Sequence, residues 1–366
     1  MNWKAEILAR FSGEPRERPL YLPDLTLWYG WHRTRGTLPP GWGDGPLPDM
    51  ARAMGVPIWW AVRPWRVETP GVATSTLERE DERVIHHETV AGPLTARWVR
   101  GPDGDWWQSE YPVKSAGELP AALKLVEARS YILDPAAWTQ AEALVGDDGI
   151  VALEIPRRPY SDVLHELLGW GEGVMLLEDH RPAVEEIIAI LEDKLQRIVR
   201  EVAPLPGAVV FSPDNLDGQY ISPPAFQSYL EASYRLTAET LHRQGKHLLV
   251  HVGGPIKRLL RYLAAAGVDG IEGLAGPPQS DLTLAAAREI AGPAMTLWGG
   301  IPQDLLLSTH TVEEMEAAVR QAAQQAQGDH RMLLGVADRV PAGAELERLL
   351  SLERVLSLAG FRPWGR

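Results

Sequence analysis

Short apolar runs that end on a polar residue or a glycine, each followed by a helix-length amphipathic stretch, recur along this chain. The pattern is sharpest from Lys246 to Asp304. There His247 to Val250 ends on His251 and two glycines, Gly267 to Ile271 ends on Glu272, and Ala294 to Trp298 ends on Gly299-Gly300. Strand, tip, helix, repeated three times, marks βα units of a parallel sheet. Earlier runs at Leu20 to Leu22, Val56 to Val62, Ile150 to Ile155 and Ala208 to Phe211, and a later one at Met332 to Gly335, fit the same scheme. Helices are expected over Trp3 to Phe11, Pro48 to Met54, Leu119 to Ala128, Thr139 to Leu144 and Val163 to Leu168. Others are expected over Pro182 to Val202, Pro224 to Gln244, Val312 to Ala326 and Ala344 to Leu358.

From Arg66 to Tyr111 the period shifts. Arg83 to Val90, Leu94 to Arg100 and Trp106 to Tyr111 read as strands separated by Ala-Gly-Pro and by Gly-Pro-Asp-Gly, a strong turn signal. Trp28 to Gly45, rich in aromatics, glycine and cations, reads as a loop. Counting from Leu20, about eight βα units can be placed. They predict a (β/α)8 TIM barrel, one domain over residues 1–366, with an N-terminal antiparallel β excursion at 66–111. An open doubly wound sheet is the alternative architecture. No G-x-G-x-x-G follows a strand, so nothing supports a dinucleotide site.

Composition narrows the partners. The formal net charge of -13 argues against nucleic acid or an anionic membrane, which both call for basic surface. No apolar run reaches the roughly 18 residues of a spanning helix, and MNWKAEILARFSGE lacks a signal peptide's apolar core, so the cytoplasm is the expected location. Cysteine is absent, which removes disulfides, thiolate catalysis, iron–sulfur clusters and cysteine-ligated zinc. Any metal must use His, Asp, Glu and neutral oxygens.

The candidate chemistry therefore sits at strand tips, the edge of a parallel sheet where ligands bind. His251, beside two glycines that admit a ligand, is a candidate metal ligand or general acid/base. Glu272 ends the next strand and could share one metal with it, since zinc accepts imidazole and carboxylate together. Asp24 and Asp338 lie just past the first and last strands, as a third oxygen ligand or a proton donor. Asp214 and Asn215 share one tip, with Gln219 following. An acid with amides suits hydrogen bonding to a polar substrate, and a Pro-Asp-Asn turn is the bland alternative. His86 and His87 are adjacent on a strand and point to opposite faces, so they cannot chelate together.

Six segments, in order, resemble the uroporphyrinogen decarboxylase superfamily, which also contains methyltransferases acting on methylated corrinoid proteins and coenzyme M. They are ILARFSGEPRERPL, then GPLTARW with WWQSEYPVKSAGEL, then SPDNLDGQYISPPAFQSYLEASY. After these come HVGG with AAAGVDGIEG, then WGGIPQDLL, and LLGVADRVPAGAELERL. The resemblance implies the barrel, a methyl-transfer or decarboxylase (lyase) activity, and a tetrapyrrole, pterin or corrinoid-related small molecule or corrinoid protein as partner. It also implies a homodimer. It lends Asp214, with Asn215 and Gln219, a substrate-orienting role, and it places Trp298 and Asp338 in the substrate site. Arg33 and Arg35 occupy the loop that carries RQAGR in the decarboxylase, and would meet anionic groups of the substrate. The departures are equally specific. The methyltransferase branch binds zinc through H-x-C and a later cysteine; here His251 is kept, Gly253 replaces the cysteine, and GVADRVP closes the chain's last motif. The expected cofactor is thus zinc without cysteine ligands, or none. A barrel that binds its ligand without turnover is a further reading.

Overall fold

The computed structural model describes residues 2–42, 45–101 and 106–361. The chain forms two compact units, one from Met1–Val62, Ala136–Glu154 and Pro206–Arg366, the other from Arg63–Pro135 and Ile155–Leu205.

The first unit holds an eight-stranded parallel sheet. Its strands are β1 Leu20–Tyr21, β2 Ile58–Val62, β3 Gly149–Glu154, β4 Val209–Leu216, β5 His247–Val252, β6 Gly270–Leu274, β7 Thr296–Ile301 and β8 Met332–Val336. Neighbours follow chain order from β2 to β8, and β8 then pairs with β1. Among the described residues, β1 and β2 are the two ends of the ladder. Most strands are apolar on both faces, as parallel strands covered by helices must be. Inward residues Trp59, Ile150, Ala152, Val209, Leu249, Trp298 and Leu333 form one buried core. The Trp59 ring of β2 lies edge-on to Trp298 of β7 (4.7 Å) and to Phe211 of β4 (5.8 Å), so the sheet curls until distant strands share one interior.

Helix α1 (Trp3–Ser12) is capped at its start by the Asn2 side chain and stopped by Gly13 at φ 71°. Its Ile7 and Phe11 enter the same core. The expected loop from Trp28 instead begins as helix α2 (Thr26–Arg35), ended by Gly36 at φ 64°. Trp, Tyr, Thr and a central Gly30 are poor helix formers. Tertiary anchors hold it: Trp28 is buried, its Nε1 donating to the Ala344 carbonyl, and Tyr29 donates to the Gly45 carbonyl. The expected Pro224 to Gln244 helix is two, Pro223–Tyr229 and Glu231–His242.

The second unit contains the antiparallel excursion. Ala73–Glu78, Glu82–Thr89, Gly92–Arg100 and Trp106–Glu110 form a four-stranded sheet, and Trp65–Glu68 pairs with Ser130–Leu133. The first strand of each set escaped the alternation because its residues are almost all exposed. The Gly-Pro-Asp-Gly turn falls largely outside the described residues. The 22-residue helix Arg181–Val202 belongs to this unit and buries one apolar stripe. No helix among the described residues is long and apolar enough to cross a membrane.

Candidate active site

Residue register builds the site. On β5, Leu249 faces the core, so His251, two residues on, faces the same interior. In the parallel ladder His251 pairs with Glu272 of β6, and Glu272 with Trp298 of β7. Neighbouring strands are about 4.8 Å apart, close enough for the two polar side chains to meet. His251 Nδ1 and Glu272 Oε2 lie 2.6 Å apart, with 13% and 6% of their side chains exposed. Asp338 follows β8 in the left-handed region, φ 62°, and its Oδ1 stands 4.0 Å from His251 Nε2. Arg339 Nε donates to that same oxygen at 3.2 Å. Phe211 of β4 lies beside the imidazole, ring centres 6.3 Å apart. Asp24 joins from beyond β1, where its Oδ1 accepts from Thr26 N (2.9 Å) and Thr26 Oγ1 (2.5 Å), at the start of α2.

These charges perturb one another. Burial pushes Glu272 up to about 7; the neighbouring His251 opposes this, while Asp338 and Asp24 add to it. Burial likewise pushes Asp24 up to about 6, against the Thr26 hydrogen bonds and Arg339. Burial by itself would lower His251, but the charge and hydrogen bond of Glu272 outweigh it and hold the imidazole above its ordinary value. Glu272 Oε1 is buried without a hydrogen-bond partner. With Glu272 ionised, its oxygen accepts from Nδ1–H, and Nε2 is the ring atom that faces Asp338.

Chemically, such an arrangement can pass a proton between imidazole and carboxyl. It does not fit the zinc site that the resemblance suggests. The chain has no cysteine, and among the described residues no group of three or more His, Asp or Glu side chains is disposed to hold a metal ion. His251 and Glu272 face each other through a hydrogen bond instead of converging on a common ligand point. At Gly253, where the resemblance would set a cysteine, a Cβ would collide with Asn215 Oδ1. Asn215, held at φ 51°, thus fills the space beside Gly253.

The other expected site residues fall elsewhere. Asp214 is fully buried, and its Oδ2 accepts from Ser212 (2.8 Å) and Tyr234 (2.5 Å). Phe211 faces the interior, so alternation turns Ser212 and Asp214 to the helix layer, where Tyr234 rides on Glu231–His242. A register break between Ser212 and Leu216 then frees the tip that carries Asn215. Gln219 is exposed. Trp298 is core, its Nε1 donating to the Leu22 carbonyl at 2.9 Å. Arg33 and Arg35 are exposed at the far end of α2, roughly 10 to 14 Å along its axis from Thr26. Each covers an aromatic ring of its own helix, Tyr29 and Trp31 respectively. His86 and His87 bond different neighbours, Thr95 and Thr74, each at 2.9 Å. Glu154 continues the inward parity of Ile150 and Ala152 on β3.

No protein-family model matches the sequence, and no curated protein matches it. Among solved structures, a methyltransferase from Methanosarcina mazei has a similar fold, with a TM-score of 0.59 at 16% identity over 97% of each chain. A D-psicose 3-epimerase from Clostridium cellulolyticum H10, solved with D-tagatose, reaches 0.37 at 9% identity, covering 62% of this chain and 82% of that one. An L-ribulose 3-epimerase reaches 0.37 at 15%, covering 68% and 87%. The first similarity concerns the fold; the other two are too low to carry an argument.

Proposed function

We propose that the eight βα units close into a barrel and that the chain is a methyl-transferring enzyme of the uroporphyrinogen decarboxylase superfamily, with His251 as its acid/base. The fold shared with the Methanosarcina methyltransferase is consistent with this reading, and the order of the six segments supports it. The observation that carries it is the buried 2.6 Å contact between His251 and Glu272 at adjacent strand tips. A side chain that orients the imidazole and sustains its charge is the arrangement general acid/base catalysis requires. In the step, the acceptor's X–H bond breaks as X–CH3 forms. The proton goes to His251 Nε2, and the methyl donor's leaving group departs with the bonding electron pair. Glu272 holds the imidazolium that results.

The test offers the whole protein a 13C-methyl donor, methylcobalamin or N5-methyltetrahydrofolate, with a thiol acceptor, and follows the methyl signal by NMR. The expected result is transfer that falls by about 10²-fold or more in His251→Ala. Transfer indifferent to His251, or none from either donor, overturns the reading.

A second reading has its own support. The Glu272 and Asp24 carboxyls, raised to about 7 and about 6, hold protons near neutrality, as a metal-free decarboxylase needs for protonating a substrate carbon. Release of carbon dioxide from a porphyrinogen, without methyl transfer, would select it.

A further inference from the structure

The charges at this mouth run opposite to the anionic substrate that Arg33 and Arg35 were expected to meet. Asp24, Glu272 and Asp338 influence one another electrostatically, and the Arg339 guanidinium acts on Asp24 and Asp338. Two further features point at an occupant. Glu272, only 4% exposed, keeps Oε1 without a hydrogen-bond partner, which is costly for a buried carboxylate unless positive charge approaches it. Asp338 adopts a left-handed backbone conformation uncommon outside glycine, which brings its carboxylate to face His251.

The 4.0 Å between His251 Nε2 and Asp338 Oδ1 is too long for a direct hydrogen bond. It is the right span for one intervening atom. A nitrogen about 2.9 Å from each would see the two acceptors roughly 87° apart, so each N–H bends by about 10° to reach its acceptor, within what a hydrogen bond tolerates. With its proton on Nδ1, the imidazole presents a lone pair at Nε2, and Asp338 presents a carboxylate oxygen. Both accept, so the atom between them must donate twice. Phe211 beside the imidazole supplies an apolar wall for an alkyl group.

We propose that this mouth binds a protonated alkylamine, its nitrogen seated between His251 Nε2 and Asp338 Oδ1. The proposal rests on the reading of this mouth as the active site, and it names the substrate class: a cationic nitrogen bearing at least two hydrogens.

Binding tests it without turnover. The full chain, 15N-labelled at histidine, is titrated with dimethylammonium, tetramethylammonium, acetate and dimethyl sulfide. Calorimetry reads affinity, and the His251 nitrogen shifts report the site. Dimethylammonium should saturate and move Nε2. Tetramethylammonium, which has no N–H, and dimethyl sulfide, which has no charge, should each bind at least about tenfold more weakly. Asp338→Asn, which tolerates the left-handed backbone, should cost dimethylammonium on the order of tenfold or more with an unchanged melting temperature. Acetate or dimethyl sulfide binding as tightly, no saturable dimethylammonium binding, or an indifferent Asp338→Asn would overturn the proposal. Methyl transfer to a thiol that depends on His251, without ammonium binding, would sink this inference and leave the function standing. Ammonium binding without transfer from any donor would do the reverse.

Discussion

Glu272→Gln tests the central pair most directly, because it keeps the side chain's shape and removes its charge. In the native protein, burial of His251 works against protonation and Glu272 overturns that effect. Two unit charges about 4 Å apart attract by roughly 4 kcal/mol at an effective dielectric of about 20, which caps the effect at about three pKa units. The real effect is smaller. Glu272 is itself pushed up to about 7, so it is partly neutral while the imidazole titrates. The loss of one charge-assisted hydrogen bond, about 1.5–3 kcal/mol, then predicts a fall of about one to two units. With burial no longer opposed by that charge, His251 in the variant should titrate below the ordinary value instead of above it. Asp338 still favours the charged ring, and Arg339 opposes it less strongly. Histidine-selective 15N labelling with long-range imidazole spectra gives the titration, and His251→Ala assigns the resonance among 10 histidines. A curve that Glu272→Gln leaves unmoved would refute the claim that this carboxylate governs the imidazole.

Three other outcomes follow from the same geometry. Glu272 titrates near 4.5 when unfolded and about 7 when folded, so its stabilising share is complete below 4.5 and is lost as pH rises through 7. His251 and Asp24, both raised, add in the same direction, so native stability should fall between pH 5 and 8. Glu272→Gln should flatten that fall by about 3 kcal/mol through its own titration and by more as His251 loses its raised value, and parallel melting-temperature profiles for the two proteins would contradict it. Gly253→Ala should destabilise the protein by displacing Asn215, and Asn215→Gly should relieve it. A double-mutant cycle with no coupling beyond about 0.5 kcal/mol counts against this packing. Tyr234→Phe removes a donor from buried Asp214 and should lower stability by about 1–3 kcal/mol. If methyl transfer were lost at unchanged stability, Asp214 would belong to the chemistry after all.

The parts of the site differ in how far they were legible in sequence. His251 and Glu272 stand at the ends of apolar runs, and that position alone announces a strand tip. Their bond was not readable, because it depends on the register that sets His251 opposite Glu272 across two strands. Asp214 shows the opposite case. It too sits near a strand end, yet the parity of β4 turns it toward Tyr234, and parity on a strand whose register breaks cannot be counted from sequence. Arg33 and Arg35 looked like loop cations until α2 carried them away from the tip at Asp24. That helix was hidden because its residues are poor helix formers, and what stabilises it is Trp28 against a segment 316 residues away.

By itself the sequence determined the βα alternation, the absence of thiolate chemistry and the set of strand-tip acids, since each depends on residue type and local period. Tertiary structure alone decided which of those acids share a space. Curling brings Trp59, Phe211 and Trp298 into contact across the interior, and the same curvature gathers His251, Glu272, Asp338 and Asp24 at one end of the sheet. Their altered proton affinities follow from burial and mutual charge, which are properties of distance in space and not of distance along the chain.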